Sequence, residues 1–183
     1  VIQCLETFPR GVDGAMIGEI GSLNPAFRMA VDQILLDMRA KGWDAVIGSG
    51  MRTMPQQAAL FAQGRESLDK VNRLRRQAGL PPTTEKENKK PVTHARPGKS
   101  NHNLTTALLY SGPSTFEVMN GYAVDIVSRV YGWDPDKRFW ADLGTLARQY
   151  GCEWGGDWKG NRYDPAHIQM KIVDSAPRSS TVV

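Results

Sequence analysis

The apolar residues of the chain recur at two spacings, and those spacings predict most of its elements. In SLNPAFRMAVDQILLDMRAKGW, Phe27, Val31, Ile34, Leu35 and Met38 return every three or four residues, as one buried helical face requires. Asn24 is placed to cap that helix, Pro25 suits its first position and Gly42 ends it. DAVIGSG (44–50) is a short apolar run entering a glycine-flanked turn, which predicts a buried strand that delivers Arg52 at its exit. Helical spacing returns in PQQAALFAQ (55–63), opened by Pro55. It returns again over about 136–150, where Phe139, Trp140, Leu143, Leu146 and Ala147 form the buried side and Gly151 the stop.

Between these helices the pattern changes. Residues from Gly64 to Pro91 are polar, with a helix expected in SLDKVNRLRRQ and a loop around PPTT. PVTHA (91–95) reads as a short extended piece, and ALLYSGPSTFEVM as two short strands about a Ser-Gly-Pro-Ser turn. GYAVDIVSRVYGW contains a strand with alternating apolar residues, HIQMKIV is a final strand, and SAPRSSTVV is a frayed tail. Strands scattered among helices without a regular β-α-β alternation predict an α+β fold. A chain of 183 residues suits a single domain, with its core over about 20–174 and a flexible tail over 175–183.

Composition narrows the class. An apolar fraction of 40% with 23% charged residues is that of a globular chain, and no stretch approaches a membrane span. VIQCLETFPRG lacks the basic-then-apolar pattern of a signal peptide. Cys4 and Cys152 stand far apart with no CxxC pair, against a cysteine zinc site or a disulfide framework. The net charge of +4 is uneven: ten Lys/Arg against four Asp/Glu between Arg65 and Lys99 give that segment +6 and leave the rest at −2. Such a patch suits a polyanion, either nucleic acid or an acidic polymer of a bacterial envelope; it equally suits a solvated polar excursion. No Phe, Tyr or Trp interrupts it, so the stacking platforms of single-strand binders are missing.

The candidate chemistry is concentrated in three histidines, His94, His102 and His167. A catalytic zinc takes three protein ligands and keeps one position open for water. The chain allows a three-histidine site, or two histidines with a carboxylate. HExxH and GxSxG are absent and no cysteine adjoins a histidine, which leaves little support for the common metalloprotease helix or for a serine or cysteine nucleophile. DPAH (164–167) spaces an aspartate three residues before a histidine, fit for a metal and its water or for a surface turn.

Four blocks in order, SGMRTMPQQAALFAQGR (49–65), VTHARPGKSNHN (92–103), GYAVDI (121–126) and EWGGDWKGNRYDPAHIQ (153–169), resemble the zinc peptidoglycan peptidases that include D-alanyl-D-alanine carboxypeptidases and L-alanyl-D-glutamate endopeptidases. The phage endolysin-like endopeptidase branch is the nearer match through ARPGKSNHN and EWGGDW. The family pattern is S-x-H-x-x-G-x-A-x-D followed by a late D-x-x-H. Ser100, His102, Gly121, Ala123 and Asp125 match the first in type, and Asp164 and His167 the second. The resemblance implies the hedgehog/D-Ala-D-Ala peptidase fold, with a small antiparallel sheet flanked by helices. It also implies a zinc held by His102, Asp125 and His167, with Asp164 as general base. Arg52 would hold a substrate carboxylate or the developing oxyanion, Gln57 would contact the peptide, and Ser100 would support the site or the substrate.

One departure stands out: Asp125 follows His102 by twenty-three positions where the pattern has seven, so sixteen residues are inserted, within about 104–120. A β-hairpin or flap there would let both ligands keep their places; otherwise His94 is the reserve ligand. Glu153 and Asp157 are candidate partners for a ligand imidazole, and Trp154 and Trp158 candidate core aromatics. The implied activity is hydrolysis of a stem-peptide bond in bacterial peptidoglycan, L-alanyl-D-glutamate before D-alanyl-D-alanine. The alternative is a non-catalytic wall-binding module on the same scaffold. The expected partner is peptidoglycan, with no nucleic acid and no membrane span, and the expected state a monomer. Its place of action would be the cell wall or periplasm, reached from the cytoplasm on release as in phage endolysins.

Overall fold

A computed structural model describes residues 23–103, 105–111 and 114–171. Cys4, the N-terminal stretch, the Gly112-Pro113 centre of the expected turn, Ile172 and Val173 of the expected last strand, and the tail lie outside the described residues. Helix α1 (Pro25–Ala40) forms as its pattern requires. Asn24 Oδ1 accepts the N–H groups of Ala26 (3.0 Å) and Phe27 (3.2 Å), and the five apolar positions are the buried ones. Gly42 then takes the left-handed conformation (φ 87°) that turns the chain toward β1 (Ala45–Ser49). Helix α2 (Met54–Ala62) starts one residue before Pro55 with a reciprocal cap: Thr53 Oγ1 accepts from Gln56 N–H while Gln56 Oε1 accepts from Thr53 N–H.

Helix α3 (Leu68–Gln77) occupies the helical part of the basic segment and packs on α2 around Ala59, Leu60 and Leu80. Arg75, one of the ten cations there, is buried: its Nε donates to Pro81 O (2.6 Å) and its Nη1 to Gln63 Oε1 (3.1 Å). That residue is therefore part of the structure and not of a solvated face. Residues 91–95, expected as a short extended piece, join no strand. The inserted residues do form a hairpin, β2 (Thr105–Ser111) against β3 (Ser114–Asn120), with Ser111 opposite Ser114 as the turn sequence implied.

β4 (Ala123–Ser128), helix α4 (Lys137–Gln149, capped by Asp136), β5 (Cys152–Trp154) and β6 (His167–Met170) follow among the described residues, and β5 is an element the pattern did not reveal. The main sheet is antiparallel in the order β1-β4-β6-β5, with α1 and α4 against one face, which is an α+β architecture. Trp140 is half-buried, leaning on the core from α4 and not enclosed in it.

The register divides the sheet. Side chains alternate between faces along a strand and agree across paired positions. Val124, Ile126, Cys152 and Ile168 therefore share the face that packs against Phe27, Ile34, Phe139 and Leu143. Asp125, Glu153, His167 and Gln169 share the other. All six residues of β4 are buried, so its expected exposed alternation is absent: the strand lies between β1 and β6 and is covered on both faces.

Candidate metal centre

The three residues singled out as metal ligands arrive from three chain segments. Asp125 on β4 is directly opposite His167 on β6. His102 precedes the hairpin, whose two ends are clasped where Tyr122 N–H donates to Asn101 O (3.2 Å); Arg52 N–H, donating to His102 O (2.6 Å), ties the entering end to the segment after β1. The insert thus leaves the fold and returns at nearly one place, and Asp125 keeps its position without recourse to His94, which is exposed and outside the cluster. The β1–β4 register also slips by one between Ile47 and Ser49, so that Ser49 comes to face Asp125. Such bulges re-aim side chains beside functional sites.

One ligand atom from each of His102, Asp125 and His167 lies within 4.8 Å of the others, and all three residues are buried. His102 Nε2 is 3.2 Å and His167 Nδ1 3.3 Å from Asp125 Oδ1, and the two ring nitrogens are 3.1 Å apart. The other side of each ligand sets its state. His102 Nδ1 is 2.9 Å from Gly50 O, which can only accept, so the proton of the neutral ring is on Nδ1 and the Nε2 lone pair faces the cluster. His167 Nε2 is 3.0 Å from Gln169 Oε1, which likewise places its proton on Nε2 and leaves Nδ1 bare. Asp125 Oδ2 accepts from Arg52 Nη2 (2.6 Å), leaving Oδ1 to the histidines.

Three acceptors therefore converge. The donor set of two imidazole nitrogens and one carboxylate oxygen, each oriented by an outer hydrogen bond, fits a zinc ion. The electrostatics agree for His102 and Asp125. Burial drives His102 down to about 4, keeping it neutral, although Asp125 pulls the other way. Burial would raise Asp125, but His102 and Arg52 outweigh it and hold the carboxyl well below its usual range. His167 is lowered by burial and raised further by its hydrogen bond to Asp125, for a net rise. A shared proton is one way to join three acceptors, and a metal cation is the other.

Asp164 lies three residues before His167, whose N–H donates to Asp164 O (3.2 Å). Gly155 is required there: a Cβ on it would lie 2.3 Å from Asp164 O and 3.1 Å from His167 Cβ. The Asp164 carboxyl is raised above its ordinary value, first by loss of water in its crowded surroundings and then by Asp125, with His167 and Arg52 opposing. Its surface remains open to solvent, so it is a carboxylate accessible to water and biased toward holding a proton.

The remaining candidates take definite places. Arg52 is buried, with Nε donating to Ser49 Oγ (2.9 Å) and Nη1 to Gln57 Oε1 (3.4 Å) in addition to the Asp125 pair. Gln57 is completely buried, and its Nε2 donates to Ala95 O (2.8 Å) and Thr93 Oγ1 (3.3 Å). Its polar atoms are committed to the protein, where they hold Arg52 and the 93–95 segment together; the peptide contact expected of it has no free group here. Ser100 Oγ accepts from His102 N–H (3.3 Å), supporting the ligand loop. Asp157 pairs with Arg148 at the surface and does not approach an imidazole, whereas Glu153 reaches one through Gln169. Trp154 packs against the core and Trp158 against the His167 ring, centroids 4.9 Å apart. Burial lifts the Cys152 thiol to about 11, so it is no nucleophile. Gln169 and Asn101 escaped the sequence reading; in a strand, the residue two after a ligand shares its face, and that period was the available signal for Gln169.

A family model described as D-alanyl-D-alanine carboxypeptidase matches residues 119–170, which include Asp125, Asp164 and His167. The peptidoglycan L-alanyl-D-glutamate endopeptidase CwlK of Bacillus subtilis (strain 168) is 28% identical over 155 residues, covering 81% of this chain and 73% of that protein. Among solved structures, the LdcB LD-carboxypeptidase shares the fold with a TM-score of 0.52 at 16% identity, over 81% of this chain and 65% of that one, so the chain spans a little under two thirds of its length. Taken with the four sequence blocks, these are similarities to the peptidases that include D-alanyl-D-alanine carboxypeptidases and peptidoglycan L-alanyl-D-glutamate endopeptidases.

Proposed function

We propose that the protein is a zinc-dependent hydrolase of peptidoglycan stem peptides, acting at the bacterial cell wall, and that the bond it cuts is L-alanyl-D-glutamate. The observation that carries this reading is the convergence of His102 Nε2, Asp125 Oδ1 and His167 Nδ1 in a buried cluster, beside the raised carboxyl of Asp164. When bound, zinc would polarise the scissile carbonyl and acidify water. Asp164 takes a proton from the attacking water and delivers it to the leaving amine, so one water is consumed and a carboxylate and an amine are released. Its raised affinity for protons suits both transfers. Arg52 keeps Asp125 ionised and aimed, and Ser49 and Gln57 keep Arg52 in place. The similarity to CwlK supports the endopeptidase bond.

A second reading, removal of a terminal D-alanine, is favoured by the description of the family model over residues 119–170. Digestion of defined muropeptides, followed by mass spectrometry, separates the two. Release of a free stem peptide beginning at D-glutamate supports the endopeptidase, and loss of a single D-alanine supports the carboxypeptidase. Intact stems with zinc-loaded protein would overturn both.

A further inference from the structure

Gln169 and Glu153 lie outside the ligand set, yet their bonding bears on it. Glu153 stands directly opposite Gln169 across β5 and β6. Its carboxylate can only accept, and it accepts from Gln169 Nε2. That bond decides which end of the Gln169 amide faces inward. The oxygen Oε1 is turned to His167 Nε2 (3.0 Å), and the same oxygen accepts from Asn101 Nδ2 (2.8 Å), on the residue next to His102. If the amide were reversed, its NH2 would meet the Asn101 amide nitrogen donor to donor, and Glu153 would face an oxygen.

We infer that Glu153 and Gln169 form a relay that fixes His167 as the Nε2–H tautomer, keeps Nδ1 free for the metal, and ties the segments carrying His102 and His167 together through Asn101. The inference rests on the metal reading proposed above. Glu153 and Gln169 are positioning residues: neither is among the three converging ligand atoms. The relay supplies what a second-layer carboxylate does for many metal-bound imidazoles, with a neutral amide interposed. Because Glu153 is exposed and Gln169 half-buried, solvent can replace the carboxylate only by also freeing the amide to turn.

The test uses the full chain. Zinc affinity is measured by competition with a chromophoric chelator, and the His167 ring nitrogens are read by 15N NMR, in zinc-loaded protein and in zinc-free protein at a pH above the ring's titration. Gln169→Leu should weaken zinc binding by about 10- to 100-fold. Glu153→Ala should weaken it less and give a mixture of ring tautomers. The double variant Glu153→Gln/Gln169→Glu restores a donor facing an acceptor and should recover most of the affinity that Gln169→Leu loses. Wild-type affinity and an unchanged Nε2–H signature in Gln169→Leu would overturn the relay, as would a folded double variant that binds no better than Gln169→Leu. Should Gln169→Leu fail to fold, Glu153→Ala decides: unchanged affinity and ring signature refute the relay. If the wild type bound no zinc, the metal reading would fall. The zinc-free ring signature would then decide the relay alone: loss of pure Nε2–H in Glu153→Ala supports it and no change overturns it.

Discussion

Replacing Arg52 by methionine isolates the cost of the charge that Asp125 carries into the protein. The substitution keeps the length of the side chain and removes a guanidinium that donates to Asp125 Oδ2 (2.6 Å), Ser49 Oγ (2.9 Å) and Gln57 Oε1 (3.4 Å). Asp125 and Arg52 are 3% and 9% exposed, so water cannot fully replace the lost partner. Breaking a buried pair by removing one member costs about 3 to 5 kcal/mol, because the remaining charge is left uncompensated. Urea unfolding of chelator-treated protein measures this as a lower midpoint at an unchanged slope. The pH dependence adds a second check. In the wild type the Asp125 carboxyl is held below its unfolded value, so its stabilising contribution is complete at neutral pH and is lost only as the pH falls below about 4. In the variant, with the guanidinium gone, burial acts with less opposition and the carboxyl rises; protonation then relieves the penalty as the pH falls. The gap between the two proteins should be widest near neutrality and narrow toward acid. Added zinc should also narrow it, since a cation at the same carboxylate replaces part of the lost charge. A loss below about 1 kcal/mol, the range of exposed ion pairs, or a gap indifferent to both acid and zinc, would refute the argument.

Asp164→Asn should remove nearly all hydrolysis while leaving zinc affinity within a few-fold of wild type, as measured by muropeptide turnover and chelator competition. In the wild type, the acid limb of the rate profile should fall at a pH above the ordinary carboxylate value, because burial and Asp125 raise Asp164 and a protonated base cannot accept a proton. Gly155→Ala places a Cβ 2.3 Å from Asp164 O; it should destabilise the fold by roughly 1 to 3 kcal/mol and reduce turnover beyond the loss of folded protein, read by thermal unfolding alongside activity per folded molecule.

Much of this arrangement was legible along the chain where local physics acts. The cap at Asn24, the five buried positions of α1 and the stop after α4 depend on neighbours a few residues apart, and each formed where the pattern put it. The Asp164 and His167 spacing was equally visible. The elements that were missed or misread depend on partners elsewhere in the chain. β5 has three residues and exists because β6 pairs with it, and β4 loses its alternation because strands flank it on both sides. Residues 91–95 have strand-like composition, but Gln57 takes the Thr93 hydroxyl and the Ala95 carbonyl, and no strand lies alongside.

The site divides in the same way. Residue type marked the three histidines and the Asp164–His167 spacing as possible donors, because donor chemistry belongs to each side chain whatever surrounds it; the choice of His102, Asp125 and His167 as the ligand set came from the resemblance of the four blocks to a known family. Which atoms of those side chains meet was a matter of folding. The bulge that turns Ser49 toward Asp125, the Gly50 carbonyl behind His102, the clasp that closes a sixteen-residue insertion and the amide that orients His167 all join segments far apart in sequence. A ligand's identity is a local property, whereas its tautomer, charge and direction are set by whatever the fold brings against its other side.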